Sequence, residues 1–125
     1  VKAVLDAGAL ICLDGGGREM LVRLRLLQQE HIPVHTSAGA VAQVWRSGQR
    51  QVNLARVLPG LDVAPIDQRV AQAIGELLGA SKTKDLLDAH VAMLAEPGCR
   101  VFTSDDADVK ALLKARRVKA EVVHV

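Results

Sequence analysis

Residues 4–10, Val4-Leu5-Asp6-Ala7-Gly8-Ala9-Leu10, decide how the chain reads. The apolar run Val1–Leu5 has the length and character of a buried strand. Asp6 stands at its carboxyl end, small residues follow, and the apolar run Ala9–Leu13 predicts a helical turn. In open α/β sheets, ligands bind and chemistry happens at the carboxyl ends of the strands. Asp6 is therefore a candidate functional residue, provided later strand ends and helix starts also bring acids to the same edge.

Working outward, Gly15-Gly16-Gly17 reads as a loop. It is no dinucleotide fingerprint, because position 20 is Met, and no phosphate-binding loop, because no Gly-Lys-Ser/Thr follows. Arg18–Glu30 fits both a helical stripe (Met20, Leu21, Leu24, Leu27) and an alternating pattern (Val22, Leu24, Leu26). Its length and its Leu, Arg, Gln and Glu content favour helix. Ile32–His35 is a second strand, with Thr36 and Ser37 offering an N-cap to a helix over Ala38–Arg46. Gln51–Leu58 predicts a short helix stopped by Pro59-Gly60, and Asp62–Ile66 an edge strand. Asp67 caps a helix with Val70, Ala71, Ile74, Leu77 and Leu78 on one face, followed by a loop from Gly79 to Lys84. Asp85–Glu96 is helical, Arg100–Thr103 a strand, Asp106–Ala115 a helix and Ala120–Val125 a last strand. Strands alternating with helices imply a mostly parallel sheet of four to five strands, covered by helices on both faces. Residues 1–125 make one domain, with no repeat and no dividing linker.

Composition narrows the function. Half the residues are hydrophobic and 24% are charged, with a net charge of +2. That composition builds a globular core, and its mild basicity points only weakly to nucleic acid. No apolar run reaches membrane-spanning length, and the first residues resemble a strand rather than a leader, so a soluble cytoplasmic protein is expected. Trp45 and Phe102 are the only aromatic residues, too few for a base-stacking platform. Cys12 and Cys99 read as buried hydrophobes, and the four histidines have no zinc-ligand spacing.

The remaining chemistry is acidic. Asp6 follows the first strand, Asp85 and Asp88 share one face of a helix start, and Asp105, Asp106 and Asp108 follow the Arg100–Thr103 strand. Parallel strands direct their carboxyl ends to one edge, so Asp6 and Asp105 can meet across the sheet. A hard divalent cation relieves the repulsion among such acids and activates water at a phosphoryl centre. Each acid singly also has a structural explanation, as a helix cap or a first-turn acid.

Four segments in order, VLDAGAL, TSAGAVAQVWR, DLLDAHVAMLA and VFTSDDADVKALL, resemble the PIN-domain family and, within it, the VapC toxin ribonucleases. The resemblance spans the chain. It implies a PIN-like three-layer fold and a Mg²⁺-dependent endoribonuclease (Mn²⁺ serving as well), in which Asp6, Asp88 and Asp105 bind or orient the metal. It also implies an RNA substrate, a homodimer and a VapB-type antitoxin partner. The chain departs from the family at Gln43, where an acid is usual. An amide accepts through oxygen but carries no charge. Asp85, on the face of Asp88, is the candidate to supply the missing charge. Arg46, Arg50, Lys82 and Lys84 are candidate phosphate contacts, and Trp45 is read as core or interface. The rival reading, prompted by Gln43, is a catalytically weak PIN domain that binds RNA or protein. An aspartate-nucleophile phosphatase would need a second Asp at position 8, which is Gly.

Overall fold

All 125 residues are described in the computed structural model. Five strands form one sheet: β1 (Ala3–Leu5), β2 (Val34–Ser37), β3 (Asp62–Ala64), β4 (Arg100–Thr103) and β5 (Glu121–His124). The order is β3-β2-β1-β4-β5, and every pairing is parallel. Seven α-helices connect them: α1 (Ala7–Asp14), α2 (Arg18–Gln29), α3 (Ala38–Val44), α4 (Val52–Val57), α5 (Gln68–Ser81), α6 (Leu86–Leu94) and α7 (Asp106–Arg116). A 3₁₀ turn, Leu58–Gly60, follows α4. None of the helices is long and apolar enough to cross a membrane.

The alternation of side chains along the strands creates two cores. Ala3 and Leu5 of β1 and Phe102 of β4 face α1, α2, α3 and α4, where Leu10, Leu24 and Leu54 are fully buried. Val4 and Val101 face α5, α6 and α7, against Ile74, Val91 and Leu112. Burying each such side chain contributes roughly 1.5–3 kcal/mol, and the central strands are apolar on both faces for this reason.

Several element limits differ from the sequence expectation. The first helix begins at Ala7, two residues earlier than the expected turn, because Asp6 itself caps it: Asp6 Oδ1 accepts from Ala9 N at 2.9 Å. The second strand lies at Val34–Ser37 rather than Ile32–His35, and Ser37 ends the strand while capping α3. That helix stops at Val44, short of Arg46, because the Gln51 side chain binds the next turn. Its Oε1 accepts from Arg46 N and Ser47 N, and its Nε2 donates to Val44 O and Asp14 Oδ2. The expected loop from Gly79 is helical to Ser81, since both Gly75 and Gly79 face open space and neither interrupts packing. Lys82, in the left-handed region at φ 58°, ends α5 instead. The helix expected to reach Glu96 ends at Leu94, before Pro97. The sheet has five strands, wholly parallel, with β3 at an edge as its proline-flanked sequence suggests.

Candidate metal centre

The strand order reverses at β1. The chain builds outward to β2 and β3, then returns to place β4 on the other side of β1. The crevice outside the carboxyl ends of β1 and β4 is the switch point where sheets of this kind bind ligands. Asp6 ends β1 and Asp105 follows β4, and the two strands are in register from Ala3–Arg100 to Leu5–Phe102. A cleft of about 160 Å³ opens there, lined by Asp6, Gln43, Asp85, Asp88, Ser104 and Asp105, with Ile11, Leu87 and Val91 on its apolar side.

Each acid is held differently. Asp6 is buried and engaged at both oxygens. Its Oδ1 caps α1, and its Oδ2 accepts from Thr103 Oγ1 at 2.5 Å and from Ser104 N at 3.1 Å. Thr103 Oγ1 in turn accepts from Asp105 N at 2.9 Å, so one hydroxyl connects the carboxylate after β1 to the backbone that carries Asp105. Asp105 occupies the N-cap position of α7 yet its side chain makes no capping bond. Asp85 caps α6 through Oδ1 alone, accepting from Leu87 N at 2.9 Å and Asp88 N at 3.0 Å, which leaves Oδ2 free. Asp88 sits in the first turn of α6 and is 6% exposed.

Asp85, Asp88 and Asp105 converge, with one carboxylate oxygen from each lying within 4.8 Å of the others. Asp88 Oδ2 is buried without a hydrogen-bond partner, a costly condition for a carboxylate. Burial pushes the Asp88 carboxyl up to about 8, helped by its contact with Asp105 and by the charges of Asp85, Asp105 and Asp6. The charge of Asp105 also raises Asp108, which is partly buried. Three oxygens around an orphaned, reluctantly ionised carboxylate are suited to a hard cation, which replaces the proton and supplies the missing partner. The donor set is all oxygen, the type that suits hard divalent cations.

Two packing details bring α3 to this cleft. A β-carbon at Gly39 would overlap Leu87 Cδ2 and lie 3.1 Å from Ile66 Cδ1, so glycine allows α3 close to α6. Ser37 Oγ accepts from Gly39 N at 3.0 Å and pairs with His90 Nδ1 of α6 at 2.6 Å. Burial lowers the His90 pKa, so the neutral ring joins the two helices. Gln43, in the last turn of α3, lines the cleft.

The other expected site residues lie elsewhere. Arg46, Arg50, Lys82 and Lys84 do not line the cleft. The Arg46 guanidinium turns back onto the carbonyls of Ala42 and Trp45. Thr103 and Ser104 are site residues that sequence reasoning misses. The available signal is two hydroxyl residues between a strand end and an acid.

No family model matches the sequence, and no curated protein matches it. Among solved structures, the chain is similar to one from the crystal structure of VapBC2 from Rickettsia felis bound to a DNA fragment from their promoter. The TM-score is 0.68 at 14% identity, with 100% of this chain and 99% of that chain covered. At that identity the likeness establishes the fold, the PIN-like α/β architecture, and leaves the chemistry to this chain's own residues.

Proposed function

We propose that the protein is a divalent-cation-dependent endoribonuclease and the toxin of a VapBC-like toxin–antitoxin pair. The observation that carries this reading is the convergence of Asp85, Asp88 and Asp105 around the unpartnered Asp88 oxygen, at the switch point of a PIN-like sheet. Asp85 Oδ2, Asp88 and Asp105 are the proposed direct ligands of Mg²⁺ or Mn²⁺. A bound cation supplies neutralising charge and a water of lowered pKa next to a phosphodiester.

The chain's own groups set up the rest. Asp88 would hold the cation as an ionised carboxylate, its charge and those of Asp85 and Asp105 offset by the cation, and the cleft would then accept an anionic backbone. Asp6 acts as a brace, through Thr103 and Ser104, that fixes where Asp105 starts α7. Its Oδ1 keeps one lone pair free to order a water. The amino-terminal ends of α6 and α7 face the cleft and favour its negative groups. Gln43 presents a neutral amide that can donate to substrate, where a carboxylate would repel it. Lys82 and Lys84, just before Asp85, and Arg46 and Arg50, after α3, are proposed to meet the RNA backbone outside the cleft. Homodimerisation and a cytoplasmic setting belong to the same reading, and the antitoxin partner is supported by the fold shared with a chain of a VapBC2 complex.

The test is cleavage of a mixed RNA by the purified protein with Mg²⁺, Mn²⁺ or EDTA, alongside Asp88→Asn and Asp105→Asn. Cation-dependent cutting that both substitutions abolish is the expected result. Cutting that persists in EDTA or in both variants overturns the reading. RNA binding without cleavage by a folded, cation-loaded protein would favour the rival binding module, which Gln43 makes a specific alternative.

A further inference from the structure

Gly8 lies in the first turn of α1, directly across the cleft wall from Ser104. A β-carbon at position 8 would overlap Ser104 Oγ, sit 2.7 Å from Ser104 Cβ and 3.1 Å from Asp6 Oδ1. The Ser104 hydroxyl therefore occupies the space that any side chain at position 8 would take. It gets there because the Ser104 amide is anchored on Asp6 Oδ2 at 3.1 Å, while Thr103 holds the same oxygen. The hydroxyl itself has no protein partner and is open to solvent at the cleft. Ser104 and Gln43 are the only neutral hydrogen-bonding side chains among the groups lining the cleft, and the others that are polar are carboxylates.

We infer that Ser104 is a substrate-positioning residue, whose hydroxyl donates to a non-bridging phosphate oxygen of the strand held against the acids, and that position 8 is glycine to admit it. This inference rests on the nuclease reading above. The acids cannot donate once ionised, so a phosphate entering the cleft needs a neutral donor on this wall. The hydroxyl meets the need without adding charge, and its position is fixed by the same carboxylate that braces Asp105. A hydrogen bond to a charged oxygen of this kind corresponds to a rate effect of about tenfold to a hundredfold.

The test exchanges the hydroxyl between the two positions. Ser104→Gly alone should lower kcat about tenfold or more, while calorimetry with Mn²⁺ alone shows unchanged cation affinity. Adding Gly8→Ser should restore most of the loss, because the new β-carbon now enters vacated space and carries an oxygen to the same place. Ser104→Ala would not serve as the background, since its β-carbon still collides. The pair Gly8→Ala with Ser104→Gly restores packing without a hydroxyl and should stay slow. The inference is overturned if Ser104→Gly keeps full kcat, if it weakens Mn²⁺ binding in step with kcat, or if the alanine pair recovers as well as the serine pair. A wild-type protein that cuts no RNA with any cation removes the nuclease reading itself, and the inference with it.

Discussion

Replacing Asp88 by asparagine should stabilise the metal-free protein while ending its response to divalent cations. Asp88 is pushed from 3.8 to about 8, by burial first and then by its acidic neighbours. Below about pH 4 its carboxyl is protonated in both the folded and the unfolded chain. As the pH rises towards 8, the unfolded chain loses this proton and the folded one keeps it. Stability therefore falls with pH across that window, and the loss is complete once the folded group ionises. A shift of about four units has a ceiling of about 5 kcal/mol at 1.36 kcal/mol per unit. Solvent in the open cleft screens the repulsion, so about 2 kcal/mol is expected at pH 8. For a chain of this length that is roughly 6–10 °C in Tm.

The amide introduced by Asp88→Asn avoids the cost, and it can donate to Asp85 or Asp105. The assay is thermal unfolding of wild type and Asp88→Asn in EDTA at pH 5 and pH 8, repeated with Mn²⁺. In EDTA the variant should melt higher, and the gap should widen with pH. In Mn²⁺ the order should reverse, because only the wild type gains binding free energy. A variant that melts lower in EDTA at both pH values, or a gap independent of pH, would refute the electrostatic reasoning. A wild type that Mn²⁺ leaves unmoved at pH 8 would refute the cation site.

Two further outcomes follow from the same geometry. Gln43→Glu adds a carboxylate to the cleft wall, so Mn²⁺ affinity measured by calorimetry should rise several-fold, while metal-free Tm at pH 8 should fall through added repulsion. Ser37→Ala removes the cap of α3 and the partner of His90 Nδ1, which should cost about 1–3 kcal/mol in urea unfolding, with a larger effect than a cap alone because a buried ring nitrogen is left unpaired.

Much of the architecture is legible in the sequence because it depends on local pattern. The apolar runs around Val4, Val34 and Val101 mark buried strands, and Asp67 caps its helix as the pattern predicts, whereas Asp85, read as the first residue of its helix, is its N-cap. Helix ends are less legible. Gly79 stops nothing, because whether a glycine ends a helix depends on what surrounds it, and Gly79 meets only solvent. At the site, the sequence identifies the acids but cannot divide their roles. Asp6 reads as one more acid of the site, and only with the two strands set in register do its oxygens prove also to accept from Ala9, Thr103 and Ser104. Asp85 reads as a cap or a site acid, and using one oxygen for capping leaves it available for both. The Gly8–Ser104 contact joins the two ends of the chain, and no local pattern encodes it. Proximity in sequence is the only ground for assigning the arginines and lysines, and the bond from Arg46 back to the carbonyl of Ala42 is one that no local pattern encodes.

The bond between Asp6 and Thr103 spans 97 residues. Strands β1 and β4 pair only after both have been synthesised, with the helices α1 to α6 and the strands β2 and β3 made in between. During synthesis the amino-terminal half can collapse around α1, α2 and β2, but the acids of α6 and α7 have not yet emerged, and closing so long a loop is an entropically expensive late event. A partly made chain thus exposes Asp6 as nothing more than a helix cap. The acidic centre comes into being only once β4 and the start of α7 have been made, so the kinetics of folding determine when any activity housed there can begin.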